Sequence, residues 1–313
     1  MSSKTNINGP QAALTMVGAM AVIGVIDNYI TLISESLSIW QFMLMRSAIA
    51  LPLLAVFSIL GFVTMRPKRL WAVVLRNACV ALSMLFYFAS LSYMPIAQSL
   101  AGLFTSPLFI LIISSVVLGE RVGPVRILCV LLGFFGISLV LQLNFATLTW
   151  LSVVPIIGGF FYAIGALMTR YLCDGESTVS MLSMLMSIQA LLGLITLIAL
   201  AFFDISVPDG LNGFLLRSWV WPTSETLGYI VLQAVGSIFG IGLIIRAYQI
   251  GEASYVAIYE YSVFIFAPLF AWIMFGQSLD ATQLLGLAVI TLSGALITLR
   301  SARGERSATE ETL

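Results

Sequence analysis

The sequence predicts an all-α polytopic membrane protein, with ten transmembrane helices forming two inverted five-helix repeats. Three observations carry that expectation. Apolar segments of bilayer-crossing length recur about ten times. The polar stretches between them are brief, and the two halves of the chain echo each other. Composition points the same way: 60% of the 313 residues are hydrophobic and 9% are charged, with a mean hydropathy of +1.07. A water-soluble domain of this length does not read like that.

Composition also excludes function classes. Basic and acidic residues balance at 14 each, so there is no electrostatic footprint for nucleic acid. Histidine is absent, which removes the commonest metal ligand and the usual base of a nucleophilic triad. Cys79, Cys129 and Cys173 stand alone, without a CxxC, so neither a disulfide framework nor a zinc site is expected. No cofactor is implied, and the chain is not expected to be an enzyme.

Taken in order, the first helix covers 12–33. The polar N-terminus (1–11) shows no small-residue cleavage site, so this run is expected to be retained rather than removed as a signal peptide. The second covers 39–63, the third 70–91, the fourth 95–118 and the fifth 125–143. The sixth covers 150–171, the seventh 179–203, the eighth 227–248, the ninth 251–277 and the tenth 281–299. One connection is long, 204–226. It carries Pro208, Gly210, Trp219, Trp221 and Pro222, and its tryptophans suit the membrane interface. With the N-terminus in the cytoplasm, Lys4, Arg66, Lys68, Arg69, Arg76, Arg121, Arg126, Arg170, Arg246, Arg300, Arg303 and Arg306 fall at or near the inner face. Only Arg217 falls in an outer loop, and Arg46 lies within the second helix. The positive-inside rule then puts both tails, 1–11 and 300–313, in the cytoplasm.

The repeat is visible after the fourth and ninth helices. VVLGERVGPVRILCVLLGFFGISLVL is echoed by IMFGQSLDATQLLGLAVITLSGALITL, with Gly119 matching Gly276, Glu120 matching Gln277 and Gly136 falling near Gly294. The units are 12–143 and 150–299. Five spans is an odd number, so the second unit enters the membrane from the opposite side, as in many secondary transporters.

These residues resemble a known family. The Gly119-Glu120-Arg121 turn with its glycine-bearing fifth helix is similar to the EamA signature of the drug/metabolite transporter superfamily. So is the run from Arg246 through Glu252, Tyr259-Glu260-Tyr261-Ser262 and Phe275-Gly276. The resemblance covers nearly the whole chain. It implies a ten-helix carrier of small organic solutes in the cell inner (cytoplasmic) membrane, with a central cavity and peripheral fifth and tenth helices. Gln277, where the second unit often has Glu, and Cys129, where glycine is common, depart from the pattern at positions read as structural. The ninth-helix pattern is similar to members that carry riboflavin, S-adenosylmethionine or organic anions.

Glu260 is the leading candidate residue. A carboxylate at membrane depth is costly unless paired or used, and Tyr255, Tyr259 and Tyr261 flank it. It could bind a cationic group, or take and release protons during transport. The sequence leaves both open, beside a packing role. Asp27 in the first helix and Arg46 in the second lie at similar depth, so a direct contact is expected, as a helix lock or as a gate. Arg76 is expected to snorkel to the interface; facing inward, it would offer a forked donor for a carboxylate or phosphate. Tyr87 shares a helical face with Ser83 and Ser90. Gln98 and Thr105 interrupt the fourth helix near Pro107, Tyr162 sits among Gly158, Gly159 and Gly165, and Gln233 precedes Ser237 in the eighth. Each is a candidate for substrate binding or for interhelical glue. Arg246 and Glu252 are expected to pair.

The reading is therefore a secondary transporter of a small organic metabolite, working by alternating access, with proton coupling open. The alternative on the same scaffold is an exporter of amino acids or drug-like compounds. A membrane-embedded enzyme or a channel fits less well, because no nucleophile–base set, metal cluster or filter-like loop is evident. Partners are the metabolite and membrane lipids; a homodimer is left open.

Overall fold

The computed structural model describes residues 8–61, 64–91, 93–94, 96–120, 122–144, 146, 149–202, 207 and 213–310, with backbone alone at 96 and 301–310. Lys4, Val63, Pro95, Arg121, Phe203, Pro208 and Gly210, all used in the sequence reading, lie outside the described residues, as do the side chains of Arg303 and Arg306. The described chain is helical, without a strand. Its elements are α1 (Gly9–Ser36), α2 (Ile39–Ile59), α3 (Leu70–Ser90), α4 (Ile96–Leu103), α5 (Ser106–Val116), α6 (Pro124–Val140), α7 (Val153–Tyr171), α8 (Thr178–Phe202), α9 (Ser224–Ile250), α10 (Ala253–Glu260), α11 (Val263–Phe275) and α12 (Ala281–Glu310). Taking α4 with α5 and α10 with α11, nine stretches are long and apolar enough to cross a membrane, and α6 is a shorter apolar helix. The ten expected segments are all present.

Local chemistry sets several boundaries. The Asn8 side chain accepts from the Gln11 amide at 3.1 Å and Pro10 opens α1, as N-caps and first-turn prolines do. Ser38 caps α2 and Thr223 caps α9 in the same way, at 3.2 Å each. Gly119 and Gly276, matched in the sequence repeat, share one job. Both take the left-handed conformation (φ 68° and 66°) just past the fourth and ninth spans, where a side chain would be strained.

Those two spans are also the broken ones, and the same device marks each break. Thr105 donates its hydroxyl to the Gly102 carbonyl at 2.6 Å, and Ser262 donates its hydroxyl to the Tyr259 carbonyl at 2.6 Å. Their amides bond the same carbonyls at 3.2 and 3.1 Å. A short hydroxyl side chain that competes for the backbone carbonyl ends the helical ladder locally. Pro107 reinforces the first break from the opening turn of α5, whereas Pro268 lies inside α11, away from the second. The two broken spans meet, with the Phe104 and Phe264 rings edge to face at 4.6 Å.

The helices close into a ring. In order around it, each packed on the next, come α1, α9, α2, α8, α3, α7, α4–α5 and α10–α11, which returns to α1. Exchanging the first five spans for the second five maps this ring onto itself. The remaining spans, α6 and α12, pair beside the ring, their backbones so close that a Cβ on Gly286 would meet the Gly136 carbonyl oxygen at 2.7 Å. Outward-facing Leu131, Phe135, Ile195, Phe239, Trp272 and Leu285 are all exposed, as lipid-facing positions require.

The ring corrects one expectation of the sequence. α1 and α2 share a short turn but no packed face; α1 packs along α9 and α2 along α8, both from the other half of the chain. Interleaving of the halves overrides the usual adjacency of consecutive helices.

Candidate functional site

The bundle has a basic end, where α1 and α3 begin, and a far end, where α1 turns into α2. At the basic end, Glu176 accepts the backbone amides of Lys68 and Arg69 at 2.8 and 2.6 Å, and the Arg69 guanidinium donates to the Asp174 carbonyl at 2.7 Å. Arg126 forms an ion pair with Glu252. The expected Arg246–Glu252 pair is thus replaced: α6 brings Arg126 to Glu252, and Arg126 also donates to Ser254 at 3.0 Å. At the far end, segment 213–222 is sewn to the α1–α2 turn. Trp40 donates to the Leu215 carbonyl at 2.8 Å, and Arg217 donates to the Ser34 and Leu37 carbonyls at 3.1 and 2.9 Å. Arg217 therefore caps the C-terminus of α1 from 180 residues away.

Glu260 sits inside the ring at the end of α10, with 2% of its surface exposed. Its Oε1 accepts two hydroxyls, Tyr162 from α7 at 2.9 Å and Tyr248 from α9 at 2.7 Å. α7 and α9 stand opposite each other in the ring, so the three side chains pinch its centre. The other oxygen, Oε2, accepts no hydrogen bond among the described residues and is not sealed off. Arg76 lies in electrostatic reach of both tyrosines. It is 4% exposed, with Nε donating to Thr169 Oγ1 at 2.8 Å and a terminal nitrogen to Asn77 Oδ1 at 2.7 Å. The snorkelling expected of Arg76 does not occur. Thr169 and Asn77 satisfy the guanidinium inside the bundle, and Asn77 is anchored in turn on the Met181 carbonyl at 3.1 Å.

The tyrosines nearest Glu260 in sequence point elsewhere. Tyr259 donates to Tyr255 at 2.9 Å and shares a hydrogen bond with Thr298 of α12 at 2.7 Å. The Tyr255 ring lies 5.9 Å beneath the Arg126 guanidinium. Tyr261 packs its ring on Gly133 of α6, and its buried hydroxyl has no partner among the described residues. All three face the α6–α12 pair. At about 100° per residue, positions 255 and 259 share one face of a helix and 260 does not.

A second polar locus lies toward the far end. Arg46 is 7% exposed. It donates to Gln189 Oε1 at 2.7 Å and to Ser237 Oγ at 3.5 Å, and its guanidinium covers the Phe42 ring at 4.8 Å; its Nε has no partner among the described residues. Asp27 makes no ion pair with it. Gln189 and Ser237 hold Arg46 on the α8–α9 side, while Asp27 stays with α1, exposed within the bundle and in electrostatic reach of Arg46 and Tyr87. Gln233 donates to the Ile26 carbonyl at 2.5 Å and ties α9 to α1 beside Asp27. Tyr87 and Gln98 are half-buried on α3 and α4, and Thr105 is committed to the α4–α5 break. At that break a Cβ on Gly159 would meet the Leu103 carbonyl oxygen and Thr105 Oγ1 at 2.7 Å each. In the other half, a Cβ on Gly24 would meet Phe266 Cβ at 2.8 Å and the Ala267 nitrogen at 2.9 Å.

The structure therefore joins Glu260 with Tyr162, and Asp27 with Arg46, Tyr87 and Gln233 as neighbours. Tyr248 and Thr169 were missed as site members. The one signal for Tyr248 was its distance of 12 residues from Glu260 across a tight turn, which periodicity does not convert into contact.

Comparison with known proteins agrees with this architecture. One solved structure aligns with a TM-score of 0.72 at 13% identity, covering 95% of this chain and 98% of that one, which shows a shared fold. A protein of Rhizobium johnstonii named riboflavin transporter is 27% identical over 92% of this chain and 90% of its own length. Another of that name from Vibrio cholerae is 31% identical over 68% of this chain and 67% of its own. Proteins named as small-molecule carriers thus align over most of this chain's length. The profile of the EamA-like transporter family matches residues 10–142 and 149–299, the two halves in turn, and the chain belongs to that family.

Proposed function

We propose that this protein moves a flavin-type metabolite across the cell inner (cytoplasmic) membrane by alternating access between two five-span repeats, 12–143 and 150–299. The observation that carries the reading is a pinch across the ring on the basic-end side of Asp27: Tyr162 and Tyr248 reach from opposite helices to one oxygen of Glu260. Beyond the pinch, Asp27 is exposed within the bundle. A central path closed on one side and accessible on the other is what alternating access requires. The clustering of Lys68, Arg69, Arg126 and Arg170 at the basic end supports a cytoplasmic position for that end and for both termini. Flavin is the substrate to test first because two relatives carry that name.

Glu260 is assigned the coupling role. Its free oxygen offers a place for a proton or for a donor group of the substrate, and opening the pinch parts it from both tyrosines. Purified protein in liposomes tests the reading. Saturable riboflavin uptake that Glu260→Gln abolishes, and that S-adenosylmethionine, nucleosides, amino acids and organic acids do not compete, supports it. Non-saturating, voltage-driven ion flux overturns it in favour of a channel, and wild-type uptake by Glu260→Gln across pH removes Glu260 from the mechanism.

A further inference from the structure

Asp27 and Arg46 form a charge pair held apart. Two contacts to one face of α9 locate the gap. Gln233 binds the carbonyl of Ile26, next to Asp27, and Ser237, one turn further along the same face, holds Arg46. α1 shares no packed face with α2 or α3, so the Asp27 side chain opens into space inside the ring rather than onto a neighbouring helix. Arg46 cannot swing across to close it without leaving Gln189.

Whatever occupies this gap meets an acceptor on one side and donors on the other. The carboxylate of Asp27 can accept and makes no hydrogen bond among the described residues. The guanidinium of Arg46 donates: Nη1 and Nη2 each carry a second N–H beyond the bonds to Ser237 and Gln189, while Nε is closed off by its surroundings. The ring of Tyr87 stands within reach of Asp27 on α3. A flat molecule with an N–H beside a C=O on one edge matches that order. Bare cations satisfy only Asp27 and bare anions only Arg46, each leaving the opposite charge stranded at membrane depth.

We propose that the Asp27–Arg46 gap is a binding site for a cyclic imide edge, such as the pyrimidinedione ring of a flavin or of uracil. The imide N–H donates to the Asp27 carboxylate and a flanking carbonyl accepts from Arg46. This assignment rests on the flavin reading for its choice of ligand and on the gap for its geometry.

The test is equilibrium binding to the full-length wild-type protein in detergent, followed by quenching of flavin fluorescence or by calorimetry. It uses four probes: riboflavin, 3-methylriboflavin, uridine and 3-methyluridine. Methylation at N3 removes the donor and leaves the carbonyls. Loss of a hydrogen bond to a charged acceptor predicts at least about tenfold weaker binding of each methylated probe. Asp27→Ala, checked for a monodisperse elution profile, removes the acceptor and is expected to bring that preference close to unity. Riboflavin binding without N3 discrimination overturns the imide site and keeps the flavin reading. Uridine binding with N3 discrimination, in a protein that ignores riboflavin, overturns the flavin reading and keeps the site. Binding of none of the four probes overturns both. The wild-type comparison stands even if the variant fails to fold.

Discussion

The tyrosine pair on Glu260 makes a quantitative prediction. Tyr162 and Tyr248 donate to the same oxygen at 2.9 and 2.7 Å, from helices on opposite sides of the ring. Replacing either by Phe removes one donor and leaves the carboxyl one partner. A hydrogen bond to a charged group contributes about 1.5–3 kcal/mol, whereas neutral interhelical bonds in membranes average about 0.6 kcal/mol. Each single variant should therefore lose between about 0.6 and 3 kcal/mol, and the value reports whether Glu260 is ionised in the resting protein. The double variant leaves a buried carboxyl with no donor, so its loss should exceed the sum of the singles by roughly 0.5–2 kcal/mol. The measurement is reversible unfolding in mixed micelles with increasing denaturing detergent, read by circular dichroism for all four members of the cycle. Adding Glu260→Gln to each member should shrink the coupling, since the acceptor is then an amide. Two singles each below about 0.3 kcal/mol, with an additive double, refute the pinched-ring geometry.

Other perturbations separate packing from polar chemistry. Gly159→Ala places a Cβ within 2.7 Å of the Leu103 carbonyl oxygen, and Gly24→Ala does the equivalent against α11. Both should destabilise by about 1–3 kcal/mol in thermal melts. Gly18→Ala has nothing within 4 Å and should be neutral or stabilising by about 0.5–1 kcal/mol. Glu176→Ala removes the acceptor of the Lys68 and Arg69 amides, so those two amides should exchange with deuterium faster and stability should fall by about 1–3 kcal/mol. Arg217→Ala frees the carbonyls that end α1; a loss of about 0.5–2 kcal/mol is expected, with a change in the fluorescence of the nearby Trp219–Trp221 pair.

What the sequence determined on its own is the set of properties that a short window of chain can carry. Spanning length and hydropathy are local sums, so all ten segments were legible, along with their polar termini. The repeat was legible because Gly119 and Gly276 must each supply a left-handed residue at the same point of a repeated unit. Glu260 was legible as an acid where acids are costly. The tertiary structure alone decided who meets whom. Helix rotation placed Tyr255, Tyr259 and Tyr261 toward α6 and α12, and gave Glu260 to Tyr162 and Tyr248 instead. Arg76 found Thr169 and Asn77 where sequence suggested an interface. Interleaving of the two halves parted α1 from α2, so two charges at similar depth face each other across a gap rather than touching. Those outcomes depend on angles about helix axes and on pairings between residues as far as 98 positions apart, which no local pattern of the chain encodes.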